Sequence, residues 1–342
     1  MNLKEFAKSL GLSQTTVSRA LNGYPEVSES TRARVVQMAD QLNYRPNARA
    51  RSLAMGRAMA VGHVIPLSSK HEIMNPVFAD FIAGAGDIYS RSGYDMQLSV
   101  VSDSEELAVY RKLAQNGSVD GVIVHAPRLS EPRIALLREL GLPFVVHGRA
   151  SVGVTDYSWV DVNNRRGFQR AAEHLIDLGH RRIALINGLE NLDFALRRRD
   201  GYERALQKAG IEIDESLMRS DEMTEYYGYT SARTMLDSKA PPTAFLVSSL
   251  ISAIGVRRAI EARGLTMGRD VSVITHDDDL SYFRDENPVP MFTSLRSSVR
   301  DAGRQSAEML LTLVQSPDRP PLQHLLEVDF LLGRSSGPCP HN

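Results

Sequence analysis

The stretch that decides the fold of the N-terminal part is Ser13-Gln-Thr-Thr-Val-Ser-Arg-Ala-Leu-Asn22. Val17, Ala20 and Leu21 fall at positions i, i+3 and i+4, which gives a short helix one apolar stripe. The opposite face carries hydrogen-bonding side chains that can read the edges of DNA bases: Gln14, Thr15, Ser18, Arg19 and Asn22. A solvated helix face is usually rich in Glu and Lys, which this face lacks. The stretch alone leaves open a DNA recognition helix and an ordinary surface helix, and its flanks decide between them.

Two further helices flank this stretch. The apolar spacing of a helix recurs before it, at Leu3, Phe6, Ala7 and Leu10, and after it, at Val35, Met38, Ala39 and Leu42. Gly11 is expected to end the first helix, and Ser13 can cap the second. Ser28 or Ser30 can cap the third. A helix, a short glycine turn and a second helix form the helix-turn-helix signature, and three apolar stripes can bury one small core.

Five segments of this region match a known pattern: Leu3-Lys-Glu-Phe-Ala-Lys8, Gly11-Leu-Ser13, Thr16-Val-Ser-Arg19, Leu21-Asn-Gly23 and Leu42-Asn-Tyr-Arg-Pro-Asn47. They resemble the headpiece of the LacI/GalR family of bacterial repressors. The resemblance implies a set of DNA-binding residues. Phosphate contacts are expected from Ser13, Asn22, Ser28 and Asn47, base contacts from Gln14, Thr15 and Arg19, and further DNA contacts from Leu3, Thr16, Ser18, Ala50 and Leu53.

Residues 47–57 form the predicted hinge, and a short Ala/Arg-rich segment lies in it between Pro46 and Gly56. A helix this short is marginal alone in water, where lengths below about 12–15 residues rarely persist. The segment is therefore either a flexible basic linker or a hinge helix that folds only on DNA. The family resemblance favours the hinge and implies that Leu53 wedges between base steps in the minor groove.

Charge and composition limit the possible functions. The chain has 342 residues and a net charge of −1, but residues 1–57 hold nine Lys or Arg against four Asp or Glu. A basic head on an acidic body is typical of a protein whose phosphate contacts lie at one end. The single cysteine, Cys339, excludes a disulfide within one chain. Without an apolar leader or an apolar run of about 18 residues, we expect a cytoplasmic protein with no membrane segment.

From residue 58 onward, short apolar strands alternate with helices, and the alternation restarts near residue 158. This pattern predicts two parallel-sheet, Rossmann-like subdomains with a ligand cleft at the carboxyl ends of the strands. The resemblance implies a bilobed α/β core like that of periplasmic binding proteins. We expect a headpiece at 1–46, a hinge at 47–57 and a core at 58–342, divided into an N-lobe (about 58–162 and 293–324), a C-lobe (about 163–292 and 325–333) and a disordered tail (334–342).

The predicted effector-binding residues sit at strand ends and helix starts: Asn75, Phe78, His147, Arg149, Arg198, Ser249 and Asp277. Arg198 lies in an arginine run that could equally be a solvated helix face, but the resemblance implies that the Arg three residues before Gly201 holds the ligand. Asp277 lies in a His/Asp cluster, yet adjacent residues cannot all face one ion. We therefore expect neither a metal nor a cofactor. For Trp159, core or interface packing is preferred over stacking on a sugar.

These observations predict a ligand-responsive transcriptional regulator, most simply a repressor, that binds a pseudo-palindromic double-stranded operator as a homodimer. The family resemblance implies a sugar effector, and an α-glucoside is our narrower expectation; a non-sugar effector remains an alternative. A transporter's sugar-binding protein would carry a signal peptide and lack a basic headpiece. An enzyme is not expected, because the phosphate-binding, zinc-protease and serine-hydrolase motifs are absent and Gly84-Ala-Gly86 lacks the third glycine of a dinucleotide loop.

Overall fold

The structure is a computed structural model that describes residues 1–21, 23–44, 56–66, 76–102, 104–283 and 288–340. The chain divides into two compact units, Met1–Met59 and Ala60–Asn342. Most of the predicted hinge lies outside the described residues. So do five of the predicted site residues: Asn22, Asn47, Ala50, Leu53 and Asn75.

The first unit contains the three predicted helices, α1 (Leu3–Leu10), α2 (Gln14–Leu21) and α3 (Glu29–Gln41). Gly11 ends α1 in the left-handed conformation, at φ 64°, which glycine adopts without steric cost. Ser13 Oγ accepts the backbone N–H of Thr16 at 3.0 Å, and Ser28 Oγ accepts that of Thr31. The start and stop signals in the sequence therefore act as predicted, with Ser28 rather than Ser30 as the third cap.

A small apolar core holds these three helices together. Phe6, Val17 and Val35 are fully buried at its centre. The sequence also predicts Leu42 in this core, but Leu42 is 45% exposed. Tyr44 fills that place instead, with its ring stacked on Phe6 at 4.2 Å between centroids. The helical spacing fails here because α3 ends before Leu42, so the chain turns and buries Tyr44.

The second unit alternates strands and helices. Its strands are β1 (Ala60–Pro66), β2 (Asp95–Val101), β3 (Gly121–His125), β4 (Phe144–His147), β5 (Trp159–Val162), β6 (Ile183–Asn187), β7 (Met218–Ser220), β8 (Ala244–Val247), β9 (Ser272–Asp277), β10 (Thr293–Arg296), β11 (Gln323–Leu326) and β12 (Asp329–Leu331). Its α-helices are α4 (Pro76–Arg91), α5 (Glu106–Gln115), α6 (Pro132–Glu139), α7 (Asn164–Asp177), α8 (Asp193–Lys208), α9 (Glu225–Leu236), α10 (Leu250–Glu261) and α11 (Val299–Gln315), and a 3₁₀ turn spans Glu215–Leu217.

The strands form two six-stranded sheets, which define the N-lobe and the C-lobe. The N-lobe sheet has the order β11-β5-β4-β3-β1-β2 and the C-lobe sheet the order β12-β10-β9-β8-β6-β7. All neighbours are parallel except β10 and β12, which pair antiparallel. The buried strands β3, β6 and β8 are mostly apolar, as expected for sheets covered on both faces. Strand β9 is equally buried but carries Ser272, Thr275, His276 and Asp277. This architecture confirms the predicted fold class.

The crossings between the lobes differ from the predicted boundaries. The sequence assigns 293–324 to the N-lobe, but strand 293–296 pairs with β9 in the C-lobe sheet. The sequence also assigns residues 325 onward to the C-lobe, but Leu325 and Leu326 pair with β5 in the N-lobe sheet. These strands are short and partly polar, so their sheet is decided by pairing with distant strands and not by a local pattern.

The tail is another correction, because its residues 334–340 are packed against the C-lobe. Ser335 is fully buried. Its Oγ donates to the carbonyl of Val273 at 2.5 Å and accepts the N–H of Thr293 at 2.8 Å. Cys339 N–H donates to the carbonyl of Leu178 at 2.9 Å. The Ser, Gly and Pro composition that predicts disorder instead supplies small side chains and hydroxyls that fit against strand ends.

Two glycines on α4 give a matched test of helix packing in the N-lobe. A Cβ added at Gly84 would overlap the backbone carbonyl of Arg300 on α11, whereas one at Gly86 would meet only Met96 Cε, at 3.8 Å. We expect Gly84→Ala to lower the free energy of unfolding by about 1–3 kcal/mol through overpacking. Gly86→Ala should be neutral or stabilising by up to about 1 kcal/mol, because alanine favours the helix. Urea unfolding of both variants measures the difference, and equal stabilities would contradict the close helix contact.

Candidate functional site

The face of α2 opposite the headpiece core is the candidate DNA-reading surface. Gln14, Thr15 and Arg19 are exposed on it, and Val17 and Ala20 point into the core. Of the other predicted DNA contacts, Ser13 and Ser28 are exposed, while Leu3, Thr16 and Ser18 are half-buried. Leu3 packs against the headpiece core. The structure thus brings the three predicted base readers together on one face, and their contacts with bases stay a prediction.

Two arginines that the sequence analysis counts only as basic residues have structural roles in the headpiece. Arg32 Nη2 donates to the carbonyls of Gly23 and Tyr24 at 3.3 and 2.8 Å, which fixes the turn that follows α2. Arg34 donates to the carbonyl of Leu10. Counting charges along the sequence does not reveal which basic groups are engaged within the fold.

The candidate effector site is a cavity of about 650 Å³ between the two lobes. It lies at the carboxyl ends of the parallel strands, where ligands bind in open α/β sheets. His125 and His147 end β3 and β4 on the N-lobe side. Ser248 and Asp278 follow β8 and β9 on the C-lobe side, and all four line the cavity.

Hydrogen bonds between described residues of the two lobes lie around this cavity, among them those of Asp80 and Asp193. On one side, the carboxylate of Asp80 on α4 accepts both the N–H and the Oγ–H of Ser281, each at 2.7 Å. On the other side, Asp193 N–H donates to the carbonyl of Pro127 at 3.0 Å. Asp80 is buried, so its bonds to the opposite lobe are shielded from water and tie the two lobes together.

Arg198 is the central side chain of the cavity. Its Nε donates to Asn164 Oδ1 at 2.7 Å, and its Nη1 donates to the carbonyl of Ser248 at 2.5 Å. The Cζ atom of Arg198 lies 5.1 Å from the ring centroid of Phe168 and 4.9 Å from that of Phe194. Burial lowers the pKa of Arg198 to about 10, so the group stays charged at neutral pH. The predicted ligand anchor is therefore held rigidly in a wall of the cavity.

At the carboxyl end of β9, His276 and Asp278 line the cavity, and the predicted Asp277 between them does not. Asp277 accepts from Arg296 Nε at 3.1 Å and from the N–H of Asp279 at 3.0 Å, so it organises the C-lobe turn. Asp278 lies 3.2 Å from His276 Nε2. The predicted strand end lies at the cavity, but the residues that line it are the two neighbours of Asp277.

A similar shift occurs after β8. Ser249 Oγ accepts the N–H of Ile251 at 3.2 Å and caps α10. Ser248 lines the cavity instead. Its carbonyl holds Arg198, and its Oγ donates to Asn187 Oδ1 at 2.7 Å. The capping role explains why a serine stands at the predicted position without reaching the cavity.

Arg149 is engaged beside the cavity and is absent from its lining. Its Nε donates to Asp161 Oδ2 at 2.6 Å, and its guanidinium lies 4.6 Å from the ring centroid of Trp159. Trp159 itself is 9% exposed and packs in the N-lobe core, in line with the preferred sequence interpretation. Asp161 lines the cavity in place of Arg149, and burial raises the pKa of its carboxyl.

A cluster of buried histidines forms the N-lobe side of the cavity. His63 Nδ1 and His125 Nε2 are 3.0 Å apart, and the Tyr89 hydroxyl lies 3.4 Å from His63 Nε2. Burial lowers the pKa of His63 to about 3 and that of His147 to about 4. The imidazoles are therefore neutral at physiological pH and act as hydrogen-bonding groups. The ring of Phe78 lies 5.2 Å from His125 and, as predicted, Phe78 lines the cavity.

Three of the predicted effector residues thus line the cavity, namely Phe78, His147 and Arg198. The sequence interpretation missed several others that do: Glu106, His125, Asp161, Asn164, Ser248, His276 and Asp278. Asn164 could have been found, because it begins a helix directly after β5. Among the described residues, no group of His, Cys, Asp and Glu is arranged to hold a metal ion. None of the helices in the described part of the chain is long and apolar enough to span a bilayer.

Together, a helix-turn-helix unit and a two-lobed α/β unit with an interlobe cavity define the class of ligand-responsive DNA-binding regulators. Residues 2–47 match the family described as bacterial regulatory proteins, lacI family. Residues 172–336 match the periplasmic binding protein-like domain.

Similar proteins support this class over nearly the whole chain. The HTH-type transcriptional regulator AglR of Rhizobium meliloti (strain 1021) is 44% identical over 340 residues, which cover 99% of this chain and 95% of that one. CelR of Thermobifida fusca is 30% identical over 337 residues, 98% of each chain. The lac repressor dimer bound to operator and the anti-inducer ONPF gives a TM-score of 0.83 at 25% identity, covering 98% of this chain and 99% of that one. A CelR–cellobiose complex gives a TM-score of 0.72 at 29% identity over 98% and 99% of the two chains.

The chain therefore belongs to the lacI family of bacterial regulatory proteins, which confirms the resemblance seen in its headpiece. It is a DNA-binding transcriptional regulator. Its relatives are named as transcriptional regulators, in agreement with the interpretation of the sequence.

Proposed function

We propose that this regulator is a homodimeric repressor of carbohydrate uptake or catabolism genes whose DNA binding is controlled by a sugar in the interlobe cavity. The observation that carries the proposal is the cavity wall built around Arg198, with its guanidinium fixed by Asn164 and Ser248. Fixed donors and acceptors among aromatic side chains are typical of sites that orient a small polar ligand. The protein would act by binding alone, without an enzymatic step, in the cytoplasm where its DNA target lies.

The cellobiose complex of CelR supports a sugar as the effector class. An α-glucoside remains our narrower candidate. The operator-bound lac repressor dimer supports a dimer on a pseudo-palindromic operator, with two headpieces in successive major grooves. In the proposed mechanism, the effector changes the relative position of the lobes, and this alters the order of the hinge at residues 47–57. DNA affinity and effector affinity would then be linked reciprocally.

The test compares the full chain with a core made of residues 60–342, because the second compact unit begins at Ala60 in the chain. We expect the full chain to bind DNA fragments of its own promoter region, and we expect the core not to bind them. Both should gain about 2.7 kcal/mol of stability at an effector concentration 100 times the dissociation constant. Fluorescence anisotropy and a thermal-shift screen of neutral sugars measure the two properties. Promoter binding by the core as tight as by the full chain would contradict the division of labour.

A further inference from the structure

We propose that the effector is an uncharged sugar and that the cavity rejects sugar phosphates and sugar acids. The regulator would then sense a sugar that has entered the cell, or has been released by hydrolysis, before any phosphoryl transfer to it. This inference rests on the proposed function, since it concerns the same cavity. It is carried by the arrangement of charged groups in the cavity wall.

The first step is the balance of charges among the described residues that line the cavity. Six of these residues are acidic: Glu106, Asp161, Asp221, Glu222, Glu225 and Asp278. Three are arginines: Arg128, Arg133 and Arg198. Partners outside the lining belong to the same balance: Arg149 pairs with Asp161, Arg258 with Glu225, and Glu131 with Arg133. With them included, seven carboxylates face five guanidinium groups, an excess of negative charge that disfavours the binding of an anion.

The second step is that the guanidinium of Arg133 is already engaged with carboxylates. Its Nη1 donates to Glu106 Oε1 at 2.7 Å, and its Nη2 donates to Glu131 Oε2 at 2.5 Å. Both side chains of each ion pair are at most 5% exposed. A phosphate could bind Arg133 only by displacing a buried carboxylate, which would then lose its partner in a dry environment.

Arg198 is different, because its hydrogen-bond partners are neutral. The carbonyl of Ser248 and the amide oxygen of Asn164 orient it. Its charge is instead opposed by Asp161 and Asp278, both of which act to raise its pKa against the effect of burial. A phosphate brought to Arg198 would therefore approach these two carboxylates as well. A sugar hydroxyl could accept from Arg198 and donate to a carboxylate without adding charge.

Two of the helix starts at the cavity, those of α5 and α9, carry acidic residues, whereas the first turns of α4, α7 and α10 carry none. Phosphates commonly bind at helix N-termini, where backbone N–H groups and the helix dipole favour negative charge. Here Glu106 begins α5 and Glu225 begins α9, and both line the cavity. Asp221 and Glu222 lie just before α9. The electropositive ends of these two helices are thus already provided with carboxylates from the chain itself.

The histidines of the cavity add no positive charge at neutral pH. Burial lowers the pKa of His147 to about 4. Burial, together with neighbouring positive groups, also lowers the pKa values of His125 and His276. Neutral imidazoles donate and accept hydrogen bonds, which suits hydroxyl groups. The aromatic rings of Phe78, Phe81 and Phe194 supply apolar surface for the faces of sugar rings.

The experiment measures the binding of matched sugar pairs to the full-length protein by calorimetry and thermal shift. The pairs are maltose and maltose 6′-phosphate, trehalose and trehalose 6-phosphate, and sucrose and sucrose 6-phosphate. We expect at least one neutral sugar to bind and its phosphate to bind at least about 100-fold more weakly. Equal or tighter binding of a phosphorylated sugar would overturn the inference while upholding a sugar effector. If the protein bound its promoter but none of the six sugars, both the assignment of a sugar effector and this inference would be overturned.

A variant separates charge from shape. Asp278→Asn keeps the side-chain volume and removes one negative charge from the wall. We expect the ratio of the dissociation constants of the phosphorylated and the neutral sugar to fall by about tenfold or more in this variant. The reason is that a unit charge acts strongly at contact range. Asp279→Asn is the matched control, since Asp279 is half-exposed and is absent from the lining. An unchanged preference in Asp278→Asn, or an equal change in Asp279→Asn, would contradict the electrostatic explanation.

Discussion

Arg19→Ala is expected to abolish specific binding to promoter DNA while leaving effector binding unchanged. Arg19 is exposed on the face of α2 opposite the buried Val17 and Ala20, so its loss removes a base contact without disturbing the headpiece core. A good bidentate contact between a side chain and a base is worth about 1–3 kcal/mol. A dimer would lose it in both headpieces. Anisotropy with promoter fragments and with scrambled DNA of equal length measures the specific and the non-specific parts.

Lys8→Ala is the matched control for this variant. Lys8 is also exposed and positively charged, but it lies in the last turn of α1. Its removal should weaken binding to promoter and scrambled DNA alike, because it changes only the charge of the headpiece. If Lys8→Ala lost as much specificity as Arg19→Ala, α2 would not be the reading helix. If Arg19→Ala also lost the effector, the two functions would not be separate.

Arg198→Lys is expected to yield a regulator that still binds its promoter but no longer responds to the sugar. Lysine keeps the charge and loses the fork that the Asn164 amide and the Ser248 carbonyl hold in place. Hydrogen bonds to charged groups are worth about 1.5–3 kcal/mol each. We therefore expect effector affinity to fall by at least tenfold, measured by calorimetry and by release of promoter DNA on titration with the sugar.

The control for Arg198→Lys lies on the same helix. Arg204 is half-exposed and pairs with Asp200 one turn earlier, so Arg204→Lys makes the same chemical change away from the cavity. It should leave effector affinity and stability within error of the parent protein. A normal response in Arg198→Lys would move the effector site elsewhere, provided that circular dichroism shows both variants folded.

The headpiece could be predicted almost completely from the sequence because its determinants are local. The Gly11 turn, the Ser13 cap and the apolar stripes act within a few residues of where they stand. The α/β alternation of the core was equally readable. By contrast, β10, β11 and β12 are short strands whose place depends on partners far away in the chain, and no local pattern identifies them.

The predicted effector residues lie at strand ends near the cavity, but some of them do not line it. Asp277 and Ser249 each stand one residue away from the side chain that lines the cavity, Asp278 and Ser248. Neighbouring residues at the end of a strand point in opposite directions, so an error of one position exchanges a lining residue for a structural one. Family resemblance indicates the strand end, whereas only the turn geometry shows which side chain faces the ligand.

The position of β11 also has a consequence for the order in which the protein folds during synthesis. This strand completes the edge of the N-lobe sheet, and the backbone N–H of Leu322 just before it donates to Ser158 Oγ, 164 residues earlier in the chain. The ribosome must therefore release almost the whole C-lobe before the N-lobe can close its sheet. Contacts this distant form slowly, so the half-made N-lobe would spend much of translation with an unpaired strand edge that invites aggregation or chaperone binding.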